Sequence, residues 1–330
     1  MFFKPGILAL FISSLLISGM VLYASFSGAL ILRYWDINSG SETQLRLERK
    51  TYLVSTIISY ALVFQLFSLF LFIYTADAIH PFFTGAMCAV GSLNVNQWGF
   101  PLVLLKIITF FLAGLWLIIN FADNRGYDYP LIKTKYVLLL VIAPLMVTET
   151  IIQANYFLGL NPEVITSCCG SLFTADTQGV ASEIVSWPHS VMGVIFYLAM
   201  MGAFTLGVVF YRTGTMGYGF AAAIFVTLVI SVAAFISFIS VYFYELPTHH
   251  CPFCILQKEY GYIGYGLYLL LFVGGLAGMG VGLLMPFRQI PSLKGSLPAI
   301  QQHLALTAII GYLLFTLIST YQIIFSNLKM

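Results

Sequence analysis

Long uninterrupted apolar runs alternate with short polar connections along the whole chain. Eight of these runs reach the roughly 20 residues that a helix needs to cross the hydrocarbon of a bilayer. They cover about 6–33, 52–75, 100–122, 136–160, 189–211, 218–245, 260–285 and 302–326. None shows the two-residue alternation of a strand with one face to lipid and one to a lumen. The pattern therefore predicts an all-α polytopic membrane bundle of eight transmembrane helices, not an outer-membrane barrel. The first run is too long for the apolar part of a cleaved signal and has only Lys4 before it, so it reads as a span.

Composition narrows the class. Of 330 residues, 60% are hydrophobic and 8% charged, against about 25% charged in a soluble domain. So few charges cannot cover a soluble surface, which excludes a cytosolic enzyme and a disordered chain. A net charge of +2 offers no surface for phosphates, so no nucleic-acid partner is expected. Lipid is the expected surroundings.

Basic residues set the orientation. Arg33, Arg46, Arg49 and Lys50 fall in the first connection, Arg125, Lys133 and Lys135 in the third, Arg212 in the fifth, and Arg288 and Lys294 in the seventh. The other side has Lys4, Lys258 and Lys329, while Lys106 lies inside the third span. The odd-numbered connections are therefore expected in the cytoplasm and both termini outside, with a bacterial inner membrane as the simplest host. All five cysteines then fall outside: Cys88, Cys168, Cys169, Cys251 and Cys254. Their collection on the oxidising side favours disulfide chemistry.

A weak internal echo joins "GAMC" at 85–88 to "CPFC" at 251–254, 166 residues apart. At that offset the second to fourth spans lie over the sixth to eighth, compatible with a duplicated 4+4 arrangement in which Gly85 replaces a first cysteine.

The strongest local signal is "HHCPFCILQKEYGY" at 249–262, whose C-P-F-C element is read as lying just outside the seventh span, at its N-terminal turn. A helix N-terminus stabilises a thiolate, the C-x-x-C spacing lets two sulfurs close a ring, and protonated His249 and His250 would favour the thiolate further. The same spacing serves a stapling disulfide or half a metal site. The fourth connection, about 161–190, lacks Lys and Arg and carries adjacent Cys168 and Cys169. These form a strained, easily reduced vicinal disulfide, or one of them bonds Cys88 or Cys251 instead.

From the fourth span to the seventh, about 125 residues, the chain resembles the vitamin K epoxide reductase family of membrane thiol–quinone oxidoreductases. "SWPHSVMGVIFY" at 186–197 is similar to that family's second-helix start and "CPFCILQ" to its C-P-x-C. The resemblance implies a four-helix core over 136–285, with three spans before it (1–135) and one after it (286–330). It further implies that Cys254 faces a quinone, ubiquinone or menaquinone, and that Cys251 exchanges with Cys168 or Cys169. Those two would take electrons from a periplasmic thiol protein. His189, Ser190 and Lys258 would lie at the quinone. Three departures stand out: the loop cysteines are adjacent, His189 replaces an asparagine, and Lys258 takes the place of a tyrosine. Spans one to three, span eight and Cys88 are not implied by the family.

Other polar residues carry alternatives of their own. Glu149 and Gln153 share a face of the fourth span, where Glu149 is either part of a proton route to quinone or a buried protonated carboxyl bonded to a neighbouring helix, and Lys106 either snorkels, pairs with Glu149 or neutralises quinone. Asp77 and Glu183 are read as solvated, the small residues at 273–282 as a close-packing surface, and Trp98, Trp187 and the tyrosines near span ends as an interfacial belt. Two other functions fit the same residues. One is a non-catalytic membrane subunit of a respiratory or photosynthetic complex, held to other membrane-complex subunits. The other is a soft-metal binding or transport protein using His249, His250, Cys251 and Cys254.

Overall fold

The computed structural model describes residues 4–37, 39–166, 183 and 187–328, and in it the eight apolar runs are helices long and apolar enough to cross a membrane. These are α1 (Pro5–Tyr34), α2 (Glu42–Ile79), α3 (Gly99–Asp123), α4 (Ile132–Leu158), α5 (His189–Thr213), α6 (Gly217–Tyr244), α7 (Ile263–Leu284) and α8 (Leu297–Phe325). No strand occurs among the described residues. The helix α2 starts ten residues before the apolar run at 52, because "ETQLRLERK" is a strong helix former with an Arg46–Glu42 pair at 2.7 Å along one face. Within α6 a π turn at Phe235–Ile239 interrupts the regular helix, leaving backbone carbonyls displaced from the ladder.

Packing divides the chain into two compact units. The first comprises Met1–Thr75, Asn96–Leu160 and Phe287–Leu297, and the second Ala76–Val95, Asn161–Pro286 and Pro298–Met330. The helix α4 packs with α1 and α3: Gly28 on α1 leaves room for the Tyr136 ring, where a Cβ would come within 2.7 Å of it. The Gln153 amide donates to the Leu10 carbonyl (3.0 Å), and the Trp116 indole to the Lys135 carbonyl (2.9 Å). A four-helix core over 136–285 would draw α4 from the first unit and α5–α7 from the second.

The first unit buries two ion pairs. Glu149 accepts from Lys106 Nζ (2.7 Å), the Gln65 amide (2.9 Å) and the Thr109 hydroxyl (2.5 Å). Lys106 also donates to Ser68 (2.9 Å) and lies 5.5 Å from the centre of the Phe72 ring. Of the roles open to Lys106, pairing with Glu149 is the one adopted. Lys135, counted above in the third connection, is 1% exposed and pairs with Asp123 at 2.7 Å; the charge bias survives without it.

In the second unit the small residues of α7 do close-packing work. A Cβ on Gly278 would meet Ile224 of α6 at 2.6 Å, and one on Gly274 would meet Tyr312 of α8 at 2.8 Å. Helices in lipid gain their association from such close contact, since burial of apolar surface alone gives no advantage there.

Candidate functional site

Cys88, Cys251 and Cys254 come together in the second unit, all buried, with their sulfurs within 4.8 Å of one another. The Cys88 and Cys251 Sγ atoms are 3.9 Å apart. Cys88 precedes the short helix Ala89–Leu93, and Cys251 and Cys254 lie in the segment joining α6 to α7.

That segment is not the first turn of α7. Cys254–Leu256 and Lys258–Tyr260 are separate 3₁₀ turns, and Gly261 (φ 62°) and Tyr262 (φ 58°) are left-handed before α7 starts at Ile263. A glycine accepts that conformation at little cost, so "EYGY" ends the turn rather than propagating it into the helix. The segment nevertheless packs on the first turn of α7, where a Cβ on Gly264 would meet the Ile255 side chain at 2.6 Å.

Three clamps hold the sulfurs in place. The Tyr244 hydroxyl donates to the Cys251 carbonyl (2.6 Å) and accepts the Ile255 N–H (2.8 Å). The Tyr268 hydroxyl donates to the Pro252 carbonyl (2.7 Å). The third clamp straddles Cys88: Asp77 Oδ1 accepts the Ala89 N–H (3.1 Å), and the Gln257 amide donates both to Asp77 Oδ1 (3.2 Å) and to the Met87 carbonyl (2.8 Å). Gln257, three residues after Cys254, thereby ties the Cys88 segment to the C-P-F-C segment. Asp77, expected to be solvated, is a structural acceptor.

Gly85 has a physical reason for not being a cysteine. Its φ is +87°, and a Cβ there would lie 2.5 Å from the Thr166 carbonyl oxygen, beside the Thr166 N–H to Thr84 carbonyl bond at 2.9 Å. Any side chain would strain the backbone and collide with a main-chain atom.

The histidines sit differently from expectation. Burial pushes both His249 and His250 below the usual imidazole range, so they are neutral near pH 7 and supply no positive charge to a thiolate. The His250 Nδ1–H donates to the Ile236 and Ser237 carbonyls (3.1 and 3.0 Å), which the π turn of α6 presents. His189, at the first residue of α5, stacks on His250 with ring centres 5.9 Å apart, and its Nδ1 is buried with no hydrogen-bond partner among the described residues. His249 packs edge-on against Tyr244 at 4.7 Å. Ser190 and Lys258 are exposed, the first on α5 and the second on the turn after the C-P-F-C segment. Cys168 and Cys169 lie outside the described residues.

The sequence pointed to Cys251 and Cys254 but not to Cys88 as their neighbour, nor to Tyr244, Tyr268, Asp77 and Gln257. The "GAMC"/"CPFC" echo was the one signal joining Cys88 to the pair. No family model matches the chain, and no curated protein or solved structure matches it.

Proposed function

We propose that the chain is an integral membrane thiol–disulfide oxidoreductase whose redox chemistry runs on Cys88, Cys251 and Cys254. The observation that carries this reading is the contact of three buried sulfurs drawn from segments 163 residues apart in sequence. Cys251 is the central member. A Cys88 thiolate attacking Sγ of Cys251 in a Cys251–Cys254 disulfide forms Cys88–Cys251 and releases the Cys254 thiolate. The disulfide thus moves within the centre without net oxidation, and Cys88 takes the exchange role that the resemblance would give to Cys168 or Cys169.

Net turnover needs an electron acceptor of the isoprenoid quinone class. The Cys251 and Cys254 thiols lose two electrons and two protons and join as a disulfide, and the quinone gains both to become quinol. Support comes from the "SWPHS" and "CPFC" resemblance, from a lipid-embedded chain, and from His189, whose Nδ1, without a partner among the described residues, can donate to a quinone carbonyl when protonated. A periplasmic thiol protein would supply the electrons on the side that the Lys/Arg bias marks as outer.

The test is quinone reduction by the reduced, purified protein. Cys251→Ser and Cys254→Ser should abolish it. Cys88→Ser should keep one turnover and lose re-reduction by an external dithiol. Unchanged quinone-linked turnover in Cys254→Ser overturns the proposal. Copurification with stoichiometric membrane subunits and no thiol turnover would favour the non-catalytic subunit instead.

A further inference from the structure

The geometry points to a second use of the same sulfurs: we infer that the reduced centre is a three-thiolate site for a soft divalent d10 cation, zinc or a heavier congener, which arrests thiol exchange while bound. The inference shares with the redox proposal only the proximity of the three cysteines.

The spacing of the sulfurs suits a metal better than a disulfide. A Zn–S bond is about 2.3 Å, which sets the edge between two bound sulfurs at about 3.8 Å in tetrahedral and about 4.0 Å in trigonal geometry. The Cys88–Cys251 separation of 3.9 Å falls between these values. A disulfide requires about 2.05 Å, so that pair must close by nearly half its separation to bond but scarcely moves to chelate. The Cys254 sulfur lies within 4.8 Å of both, near enough to serve as the third ligand after a small movement.

The surroundings of the sulfurs favour a soft ion. The three side chains are 0%, 0% and 6% exposed, so an ion that keeps its waters, such as magnesium, is poorly suited, and a thiophilic one is selected. The clamps from Tyr244, Tyr268 and Gln257 fix the main chain beside each cysteine, the kind of outer-shell support that orients ligands before a metal arrives. Among the described residues, the group that joins Cys251 and Cys254 within 4.8 Å is Cys88, in place of the expected His249 and His250.

Charge favours a dication. Three thiolates leave a net charge of about −1 around a dication and about −2 around Cu(I), and the Asp77 carboxylate accepts from the residue next to Cys88; burial penalises the larger charge. On binding, three S–H bonds break, three metal–sulfur bonds form and three protons leave for solvent, with no electron transferred. A disulfide at any pair removes two of the three ligands, so cation and disulfide exclude each other.

The test uses the full chain, reduced, in a Cys168→Ser/Cys169→Ser background, titrated with Cd(II) and followed by sulfur-to-cadmium charge-transfer absorption and native mass spectrometry. The account expects one ion per chain, about three protons released per ion at pH 7, protection of Cys88, Cys251 and Cys254 from alkylation, and loss of binding after oxidation. Cys88→Ser should weaken binding more than about tenfold; the alkylation-protection pattern of the unsubstituted centre gives the same answer if that variant misfolds. No stoichiometric uptake by the reduced protein, affinity unchanged by Cys88→Ser, or Cu(I) held in preference to Zn(II) and Cd(II) overturns the inference. Quinone reduction by metal-free samples of the same preparation separates the two proposals. Cadmium bound without turnover leaves the cation site standing alone, and turnover without cadmium leaves only the redox centre.

Discussion

Replacing Tyr244 by phenylalanine removes one oxygen and nothing else, yet that oxygen serves two buried main-chain groups. It donates to the Cys251 carbonyl at 2.6 Å and accepts the Ile255 N–H at 2.8 Å. The ring contacts with His249 and Tyr260, at 4.7 and 4.8 Å, stay in place. Leaving a buried donor or acceptor unsatisfied costs about 1–3 kcal/mol. Two such groups, partly relieved by local relaxation, set the penalty at about 2–4 kcal/mol. The C-P-F-C segment bears this cost, so it opens more often while α6 and α7 keep their packing. At about 1.4 kcal/mol per tenfold, the open population rises about 30-fold at the low end of that range. Alkylation of Cys251 by a maleimide on the folded, reduced protein reads this directly, with Tyr60→Phe as control because Tyr60 is 75% exposed. An alkylation rate in Tyr244→Phe within twofold of the parent would refute the claim that this hydroxyl locks the centre.

Other consequences are equally specific. Lys106→Met leaves the Glu149 carboxylate buried without its cation and should destabilise the protein by about 3–5 kcal/mol, whereas Lys106→Met/Glu149→Leu should recover most of the loss; thermal unfolding in detergent reads both, and additive effects would contradict the pairing. Gly85→Ala should lower stability more than Gly19→Ala, because only the first combines a left-handed φ with a carbonyl in the way. His250 is 7% exposed and its pKa lies below the usual value of about 6.5. The unfolded chain therefore binds the proton more readily: stability is flat above about pH 6.5 and falls as pH drops below it, and His250→Asn, which keeps a donor for the α6 carbonyls, should flatten that decline. An unaltered acid limb in His250→Asn would assign the decline to other groups.

The eight spans were readable because hydropathy needs no partner: each run carries its own length and composition. The start of α2 was not, since residues 42–51 form helix through propensity and the Arg46–Glu42 pair rather than through apolar content. Glu149 and Lys106 were visible as buried charges, but their pairing depends on which faces of α3 and α4 meet, and near-uniform apolar runs do not mark a face. The tyrosines show the same limit. Tyr244 and Tyr268 look in sequence like members of an interfacial belt, and only the fold turns their hydroxyls onto the C-P-F-C main chain. Cys88 was harder still, since its neighbours are 163 residues away or more. Cys251 and Cys254 were readable as lying just outside the seventh span, but not the left-handed Gly261 and Tyr262 that separate their turns from the start of α7, a break that a hydrophobic run does not register.

The central claim is that Cys88, Cys251 and Cys254 act as one thiol centre. The most direct measurement is controlled oxidation of the membrane-embedded protein carrying Cys168→Ser and Cys169→Ser, followed by alkylation and peptide mapping of every disulfide. The account predicts that Cys251 is always oxidised, joined to Cys254 in some molecules and to Cys88 in others, with the two forms exchanging when a substoichiometric thiol is added. A Cys88 that stays fully alkylatable at every degree of oxidation, with no Cys88–Cys251 peptide, would contradict it.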